Sequence, residues 1–376
     1  MQDHIIKKVE TWQVKRNIPL FDNSRTGRSP MPWDMVIIRL TTDTGLISEV
    51  PAIAPRSGNV TESYINDNII PVIIDRSIYE REAIWQEFWT IDRHITFFPV
   101  YLPGPIDVAL WDLAAKAANL PLYKYLGAYR TSLPVYASSL FHKKPEDYVN
   151  EAKRYIEKGI KAYKPHPPGP WKIDMDVHQA LRDELGPDIV LMTDPVAEYS
   201  LEEAIRVGRH LEKLDYYWFE EPFRDFELNK YTQLAAVLDI PIAGTETTRG
   251  CHWGVAQAIQ QKAVDIVRAD VSWKHGITGT LKIAHLAEAF GMRCEIHTTT
   301  TGPLEIANLH VSCAIKNCEY FEYFIPEDVF QFPMKTALPI DQNGFIHVPD
   351  LPGLGTELDW DQIEKNCVSY KKTEAK

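Results

Sequence analysis

Ile189-Val-Leu-Met-Thr-Asp194 is an apolar run that ends in an acid, and Tyr216-Tyr-Trp-Phe-Glu220 and Ile240-Pro-Ile-Ala-Gly-Thr-Glu246 repeat the pattern. The terminal acids are 26 residues apart in both steps. Apolar runs are typical of parallel strands buried on both faces, and one βα unit of a barrel takes roughly 30 residues. One such step moves the chain to the same height on the next strand. The pattern therefore predicts that the three acids meet at the C-terminal mouth of a βα barrel.

Further apolar runs extend this rhythm in both directions and bring the predicted strands to eight. The eight runs are Leu133–Ala137, Ile160–Lys164, Ile189–Thr193, Tyr216–Phe219, Ile240–Ala243, Val264–Arg268, Met292–Ile296 and Tyr320–Tyr323. The segments between them have helical patterns, including a capping box in which Ser200 is the N-cap and Glu203 the third helical residue. Residues 131–323 are therefore predicted to form a parallel α/β barrel.

The segments on either side of the barrel indicate a second unit. In residues 1–130, Met35–Leu40 and Leu46–Val50 predict a hairpin, and Ile106–Ala117 has the period of a helix. Strands followed by helices indicate an α+β domain. Residues 324–376 are rich in proline and are expected to run back to that domain.

Composition limits the classes of function. The 376-residue chain has a net charge of −12, which argues against nucleic acid or an anionic membrane as a partner. Its five cysteines are odd in number and do not have a zinc-ligand spacing, so reduced thiols in a cytoplasmic protein are expected. Neither a signal peptide nor an apolar run of the ~20 residues that span a bilayer is found, which also favours a cytoplasmic protein.

The three acids at the predicted mouth indicate a metal. Clustered carboxylates repel one another, and a divalent cation removes that conflict. Ligands that are all oxygen suit a hard ion, and Mg²⁺, which keeps positions for water or substrate, fits best. Asp194, Glu220 and Glu246 are therefore the predicted Mg²⁺ ligands.

Two other strands end in bases. Lys164 and His166 close the second strand, His297 closes the seventh, and Asp270 closes the sixth beside His297. An acid next to a histidine can fix its tautomer and support its charged form. The second and seventh strands lie on opposite sides of the mouth, so the two bases could approach one substrate carbon from two faces.

These residues resemble the enolase superfamily and, within it, the mandelate racemase subgroup. The matching positions are Lys164-Pro-His166, Asp194, Phe219-Glu220-Glu221-Pro222, Ala243-Gly-Thr-Glu246, Asp270, His297 and Glu322. The resemblance covers nearly the whole chain. It implies a (β/α)7β TIM-like barrel in residues 131–323, and an α+β capping domain in residues 1–130 that is completed by residues 324–376.

The resemblance also implies roles for the site residues. It implies Mg²⁺ on the three acids, a His297–Asp270 dyad, a base on strand two, and Glu322 as a hydrogen-bond donor to the substrate. Substrate contacts are expected from Glu221 and from arginines in two segments that match the family's capping loops. These arginines are Arg25, Arg28 and Arg56.

The chain departs from the family pattern at two places. The family often has Lys-x-Lys on strand two, whereas the second position here is His166, so either Lys164 or His166 could be the base. Two residues after Asp194 the family often has Asn or His, and here the residue is Val196. Subgroups with a catalytic histidine at that place are therefore poorer guides.

Proton abstraction next to the carboxylate of a sugar acid is the expected first step. The leading hypothesis is β-elimination to a 2-keto-3-deoxy acid by a sugar-acid dehydratase. A cycloisomerase that opens a lactone or anhydro ring, a racemase or epimerase, and a noncatalytic sugar-acid binder are the alternatives. A polar mouth with His166 and His297, and with His142 and His275 nearby, is expected. The resemblance further implies a homo-oligomer.

Overall fold

The computed structural model describes residues 3–18, 31–53, 57–95, 98–298 and 302–375. The strands of these residues are β1 (Ile6–Val14), β2 (Asn17–Ile18), β3 (Met31–Pro32), β4 (Met35–Thr42), β5 (Ile47–Ile53), β6 (Ser132–Phe141), β7 (Ala162–His166), β8 (Val190–Leu191), β9 (Phe219–Glu220), β10 (Ile242–Gly244), β11 (Ile266–Ala269), β12 (Arg293–Ile296), β13 (Phe321–Phe324), β14 (Phe345–His347) and β15 (Cys367–Glu374).

The helices lie mainly between the strands of the barrel. They are α1 (Gly58–Tyr64), α2 (Ile70–Ile73), α3 (Arg81–Ile95), α4 (Pro103–Ala117), α5 (Leu122–Tyr125), α6 (Pro145–Ile156), α7 (Trp171–Leu185), α8 (Leu201–Lys213), α9 (Leu228–Ala235), α10 (Cys251–Gln260), α11 (Gly276–Ala289), α12 (Pro303–Ala314), α13 (Glu327–Phe330) and α14 (Trp360–Asn366), with a π-helical turn at Ile65–Ile69. No helix in the described ranges is both long and apolar enough to cross a membrane.

The capping domain contains an antiparallel sheet in the order β15-β1-β4-β5. The predicted hairpin is formed by β4 and β5, which pair from Met35–Ile53 to Thr41–Ile47. The last strand, β15, pairs with β1, so the C-terminal segment returns to the capping domain as expected. The strand β1 lies inside the sheet, because it pairs with β4 on one side and with β15 on the other, and its apolar residues Ile6, Val9 and Val14 are buried.

The barrel has all eight predicted strands. They form two parallel sheets, one in the order β13-β6-β7-β8 and the other in the order β12-β11-β10-β9. In the first sheet, β14 also pairs with β6 as an antiparallel strand. A single bridge between Thr193 and Phe219 joins β8 to β9. At the opposite seam, Thr298 donates its backbone N–H to the Glu322 carboxylate and its hydroxyl to the Glu322 carbonyl, which ties β12 to β13.

Local sequence signals explain where the helices begin. The predicted capping box starts α8: Ser200 Oγ accepts from the Glu203 N–H, and Glu203 accepts from the Ser200 N–H. A cap of this kind is worth about 1 kcal/mol. The helix α11 begins at Gly276, because Gly276 and His275 both have positive φ and turn the chain at that point.

The barrel interior is built in layers. One apolar layer is formed by residues that lie in or directly next to six neighbouring strands: Tyr136, Ala162, Met192, Trp218, Ala243 and Ile266. Because side chains alternate along a strand, the residue two positions later points to the same side and lies one layer nearer the mouth. That rule places Ser138, Lys164, Asp194, Glu220 and Arg268 directly above the apolar floor. The polar layer is therefore held by the registry of the strands.

Candidate active site

The three predicted metal ligands all lie at the C-terminal ends of neighbouring strands and are almost fully buried. Asp194 Oδ2 lies 3.2 Å from His166 Nε2, and Glu220 Oε1 lies 3.1 Å from Lys164 Nζ. Glu246 Oε2 lies 3.4 Å from His297 Nε2. The acids thus follow one another across the mouth, with a histidine at each end of the row.

Electrostatics differ along this row. Burial raises the pKa of Glu246 well above its usual range, and the neighbouring carboxylates of Glu221, Glu220 and Asp194 add to the effect. Burial acts in the same direction on Asp194, but His166 and Lys164 outweigh it and lower the pKa of that carboxyl. At the Glu246 end of the row, Arg268 lies 4.0 Å away and does not outweigh burial and the neighbouring carboxylates.

These residues fit a hard divalent cation by their donor chemistry, since they offer carboxylate oxygens alone. The buried Oε2 of Glu246 accepts no hydrogen bond from any described residue, as expected for an oxygen that belongs to a metal site. Over the described ranges, however, no three His, Cys, Asp or Glu side chains are already grouped as a coordination shell. A lysine or histidine nitrogen lies beside each of the three acids: Lys164 Nζ beside Glu220, His166 Nε2 beside Asp194, and His297 Nε2 beside Glu246.

His166 is held in a defined tautomer. Its Nδ1 lies 2.5 Å from the Ser139 carbonyl oxygen, which can only accept, so Nδ1 carries the proton. Its Nε2 faces Asp194 and the cavity. Lys164, by contrast, is fully buried and does not line the described cavity wall. This geometry favours His166 over Lys164 as the strand-two base.

His297 has the same arrangement on the other side of the mouth. Its Nδ1 donates to Asp270 Oδ2 at 3.0 Å, and its Nε2 is directed toward Glu246. Asp270 is itself fixed, because its second oxygen accepts from the Ser272 N–H at 2.7 Å. The Trp273 ring stacks on the imidazole with centroids 4.9 Å apart. Both histidines therefore present an Nε2 that can take or give a proton.

Arg268 is a buried cation that lies within the predicted sixth strand. It was not identified as a site residue from the sequence. Its guanidinium lies 3.0 Å from Glu220 Oε1 and 2.6 Å from Glu322 Oε2. A signal was available in Val264-Asp-Ile-Val-Arg268-Ala-Asp270, because a charged residue inside an apolar strand, two positions before Asp270, points to the same side as that acid. Lys164 Nζ completes the group at 2.7 Å from Glu322 Oε1.

Glu322 differs from the role that the resemblance implies. Its carboxylate accepts from Ser138 Oγ at 2.8 Å and from the Thr298 N–H at 3.0 Å, in addition to its two cations. Burial alone would raise the pKa of Glu322, but Lys164 and Arg268 outweigh it and hold the pKa well below its usual range. Glu322 is therefore an acceptor in this arrangement, and the expected donation to the substrate has no support from it.

The other expected substrate contacts are placed less directly. Glu221 Oε1 accepts the Glu246 N–H at 3.1 Å and so braces the strand end that carries a predicted ligand. Its contact with substrate stays a prediction. Arg25, Arg28 and Arg56 lie outside the described residues.

The cavity above the acids has a volume of about 230 Å³. Its described walls are mainly aromatic or aliphatic, which differs from the expected polar, histidine-rich mouth. His142 turns instead to Glu151, and His275 lies against Trp89. The apolar lining residues are Trp33, Leu140, Phe141, Val196, Trp273, Phe324 and Phe330. Two of these residues come from outside the barrel strands, Trp33 from the capping domain and Phe330 from α13, and neither approach was visible in the strand pattern.

Comparison with known proteins agrees with this architecture. Residues 147–362 match the model of the enolase C-terminal domain-like family, and residues 8–127 match that of the mandelate racemase/muconate lactonizing enzyme N-terminal domain. The chain belongs to the enolase superfamily. The predicted assignment to its mandelate racemase subgroup is confirmed, as is the predicted capping domain with a TIM-like barrel. The exact domain boundaries stay a prediction.

Individual superfamily members differ in the reaction that they are named for. The solved D-glucarate dehydratase from Agrobacterium tumefaciens, complexed with magnesium, is 33% identical, has a TM-score of 0.88, and the match covers 98% of this chain and 100% of that one. Arabinonate dehydratase of Saccharolobus solfataricus is 29% identical over 88% of this chain and 89% of that protein. The solved 3,6-anhydro-D-galactonate cycloisomerase from Zobellia galactanivorans is 27% identical, with a TM-score of 0.86 over 97% of this chain and 100% of that one.

These relatives confirm the prediction of an enzyme that is a lyase or an isomerase. The prediction of Mg²⁺ as the cofactor is confirmed at the level of the family by the magnesium complex. Lyases and isomerases both occur among these relatives. Similarity to them therefore does not decide which step follows the removal of the α-proton.

Proposed function

We propose that the enzyme removes the proton α to the carboxylate of a sugar acid and then eliminates the β-hydroxyl, giving a 2-keto-3-deoxy acid. One observation carries this proposal. His166 Nε2 and His297 Nε2 lie at opposite ends of a row of three carboxylates, 3.2 Å and 3.4 Å from its outer members. A substrate held over that row has a proton acceptor on each side.

The two histidines divide the proton transfers. The one that faces the Cα–H bond takes the proton on Nε2, while its Nδ1–H stays on Ser139 O or on Asp270. The other, in its protonated form, gives a proton to the departing hydroxyl. The Cα–H and Cβ–O bonds break, Cα=Cβ forms, water leaves, and the resulting enol becomes the 2-keto acid.

The charge that develops on the substrate carboxylate is the main obstacle to this chemistry. Mg²⁺ held by Asp194, Glu220 and Glu246 would act as a Lewis acid on that carboxylate. Lys164 and Arg268 contribute by fixing Glu220, so that its oxygens hold their orientation. The apolar cavity walls exclude bulk water and strengthen each of these interactions.

Ring opening by a cycloisomerase is the second candidate, and the cavity walls favour it. Phe324 and Phe330 pack edge to face at 4.4 Å beside His166, and Trp273 covers His297 on the other side. Aromatic faces suit the C–H face of a sugar ring better than the hydroxyls of an open chain. The ring oxygen would then leave from Cβ in place of water, and no atom would be lost.

The experiment is a screen of aldonates, aldarates, and acids with a lactone or anhydro ring, each with Mg²⁺. Mass spectrometry of the product distinguishes the candidates, because dehydration lowers the mass by one water and ring opening leaves it unchanged. We expect a 2-keto-3-deoxy acid from at least one open-chain acid. Products of unchanged mass only would favour the cycloisomerase if NMR shows that a ring has opened, and an epimerase if only a stereocentre has changed. Binding without any product or α-proton exchange would indicate a noncatalytic binder. A homo-oligomeric state and a cytoplasmic location stay predictions.

A further inference from the structure

A second cavity lies beside the catalytic one, between the capping domain and the barrel. Its volume is about 220 Å³, and it is lined by Trp89 and Asp92 of α3, by Arg249 before α10, and by Trp273 and His275 before α11. We call it the Trp89 cavity. A single water needs roughly 10–15 Å³ of such space, so the cavity has room for a ligand of many atoms.

The walls of the Trp89 cavity combine aromatic rings with polar side chains. The Trp89 and His275 rings are stacked, with centroids 4.0 Å apart and planes at 4°. His275 Nδ1 and Trp89 Nε1 are covered by neighbouring side chains and make no hydrogen bond to a described residue. The charged groups that a ligand in the cavity would meet are those of Arg249 and Asp92.

His275 can act both as donor and as acceptor. Burial, helped by the neighbouring Lys274, lowers the pKa of His275 to about 3, so the imidazole is neutral at physiological pH. A neutral imidazole donates from one nitrogen and accepts at the other. Arg249 adds donors and Asp92 adds an acceptor at the same cavity.

Trp273 connects the two cavities. It lines the Trp89 cavity and also the catalytic cavity, where it stacks on His297 at 4.9 Å. It belongs to the short segment 270–275, which begins with the dyad residue Asp270 and ends with His275. A ligand in the second cavity would therefore rest against the same segment that carries the dyad.

We propose that the Trp89 cavity is a second subsite that binds a neutral sugar ring against Trp89, His275 and Trp273. Aromatic faces suit the C–H face of such a ring, and the mixed donors and acceptors suit its hydroxyls. The ring is either a free sugar or the distal ring of a two-unit sugar acid whose acid end reaches the catalytic cavity. In the second case, the inference rests on the proposed function.

Calorimetric titration of the full chain with Mg²⁺ tests both sources. The free-ring probes are methyl β-D-galactopyranoside and methyl α-D-glucopyranoside. The attached-ring probes are lactobionate and maltobionate, each compared with gluconate, which is their common acid end. We expect saturable binding of a methyl glycoside, or an affinity for a two-unit acid about tenfold higher than for gluconate.

Variants locate the binding. Trp89→Leu and His275→Gly remove the two stacked rings, and glycine suits position 275 because φ there is +57°. Both should weaken probe binding about tenfold, whereas Trp89→Phe, which keeps an aromatic face, should weaken it less. The matched control is Trp253→Leu, because Trp253 contacts Trp89 at 5.4 Å but does not line the cavity.

The outcomes separate the subsite from the proposed function. The subsite is overturned if neither methyl glycoside binds and the two-unit acids bind no more tightly than gluconate, or if Trp253→Leu and Trp89→Leu weaken binding equally. Exchange of the α-proton of gluconate or another aldonate in D₂O reports on the proposed function alone. Ring binding without any exchange would support the subsite and contradict the proposed function.

Discussion

Asp270→Asn is the substitution that most sharply tests the histidine chemistry. In the wild type, Asp270 Oδ2 accepts the Nδ1 proton of His297 at 3.0 Å, and Oδ1 accepts the Ser272 N–H at 2.7 Å. An asparagine would keep the second bond with its carbonyl oxygen and would turn its NH₂ group toward His297. The imidazole must then accept at Nδ1 and carry its proton on Nε2, which is the wrong tautomer for a base.

The expected loss follows from what a positioned base contributes. General acid–base catalysis by one side chain is worth about 10²–10⁴-fold, so the rate of the His297-dependent proton transfer should fall by that factor. The substrate KM and Mg²⁺ affinity should change little, because Asp270 is not one of the three acids. The assay is single-turnover α-proton exchange in D₂O together with product formation, both followed by NMR. Asp188→Asn makes the same chemical change at an exposed site and is the control. Wild-type rates of both exchange and product formation in Asp270→Asn would refute the tautomer argument.

Three further substitutions test other parts of the structure. Arg268→Met removes a fully buried cation, so the free energy of unfolding in urea should fall by roughly 3–5 kcal/mol. Adding Glu322→Gln to that variant should recover part of the lost free energy. If the two substitutions instead lower the free energy of unfolding by the sum of their separate effects, the ion pair is contradicted. Burial raises the pKa of Asp107 from 3.8 to about 7, so the folded state holds an extra proton between these pH values. The free energy of unfolding should therefore fall as pH rises from about 4 to 7, by at most about 1.4 kcal/mol per pH unit. Asp107→Asn should remove that slope in urea titrations at different pH values. Gly276→Ala would place a Cβ 2.2 Å from Asp107 Oδ2, whereas a Cβ at Gly291, which has a similar φ, would meet open space. Gly276→Ala should therefore lower the melting temperature more than Gly291→Ala. Equal decreases in melting temperature would contradict the packing argument.

Much of the barrel could be predicted because its signals are local. Each strand is an apolar run, and the fixed step between runs places the terminal acids of neighbouring strands at one height. The capping box at Ser200 is also a local signal, and the structure has it as predicted. Their positions at the ends of the second and seventh strands likewise allowed His166 and His297 to be predicted as residues of the mouth.

The missed features depend on contacts between distant segments. The return of residues 324–376 to the capping domain was expected, but the pairing of β15 with β1 was not, because it joins the two ends of the chain and no turn signal reports it. The aromatic walls depend on Trp33 and Phe330, which come from outside the strands. The acceptor state of Glu322 depends on Arg268, which lies 54 residues earlier. Predicting that Glu322 is an acceptor requires knowing which cations surround its carboxylate in the folded chain, and the local sequence does not contain that information.

The central claim is that His166 and His297 act on one substrate from opposite sides, one as the base that takes the α-proton and the other as the acid that protonates the leaving hydroxyl. It is tested most directly by α-deuterium incorporation in D₂O with the acid that the screen selects, comparing wild type, His166→Asn and His297→Asn at saturating Mg²⁺. We predict that the wild type exchanges, that one variant loses exchange by about 10²-fold or more, and that the other still exchanges but forms product slowly. Mg²⁺ affinity should be retained in both. Exchange and product formation at the wild-type rate in both variants would contradict the account.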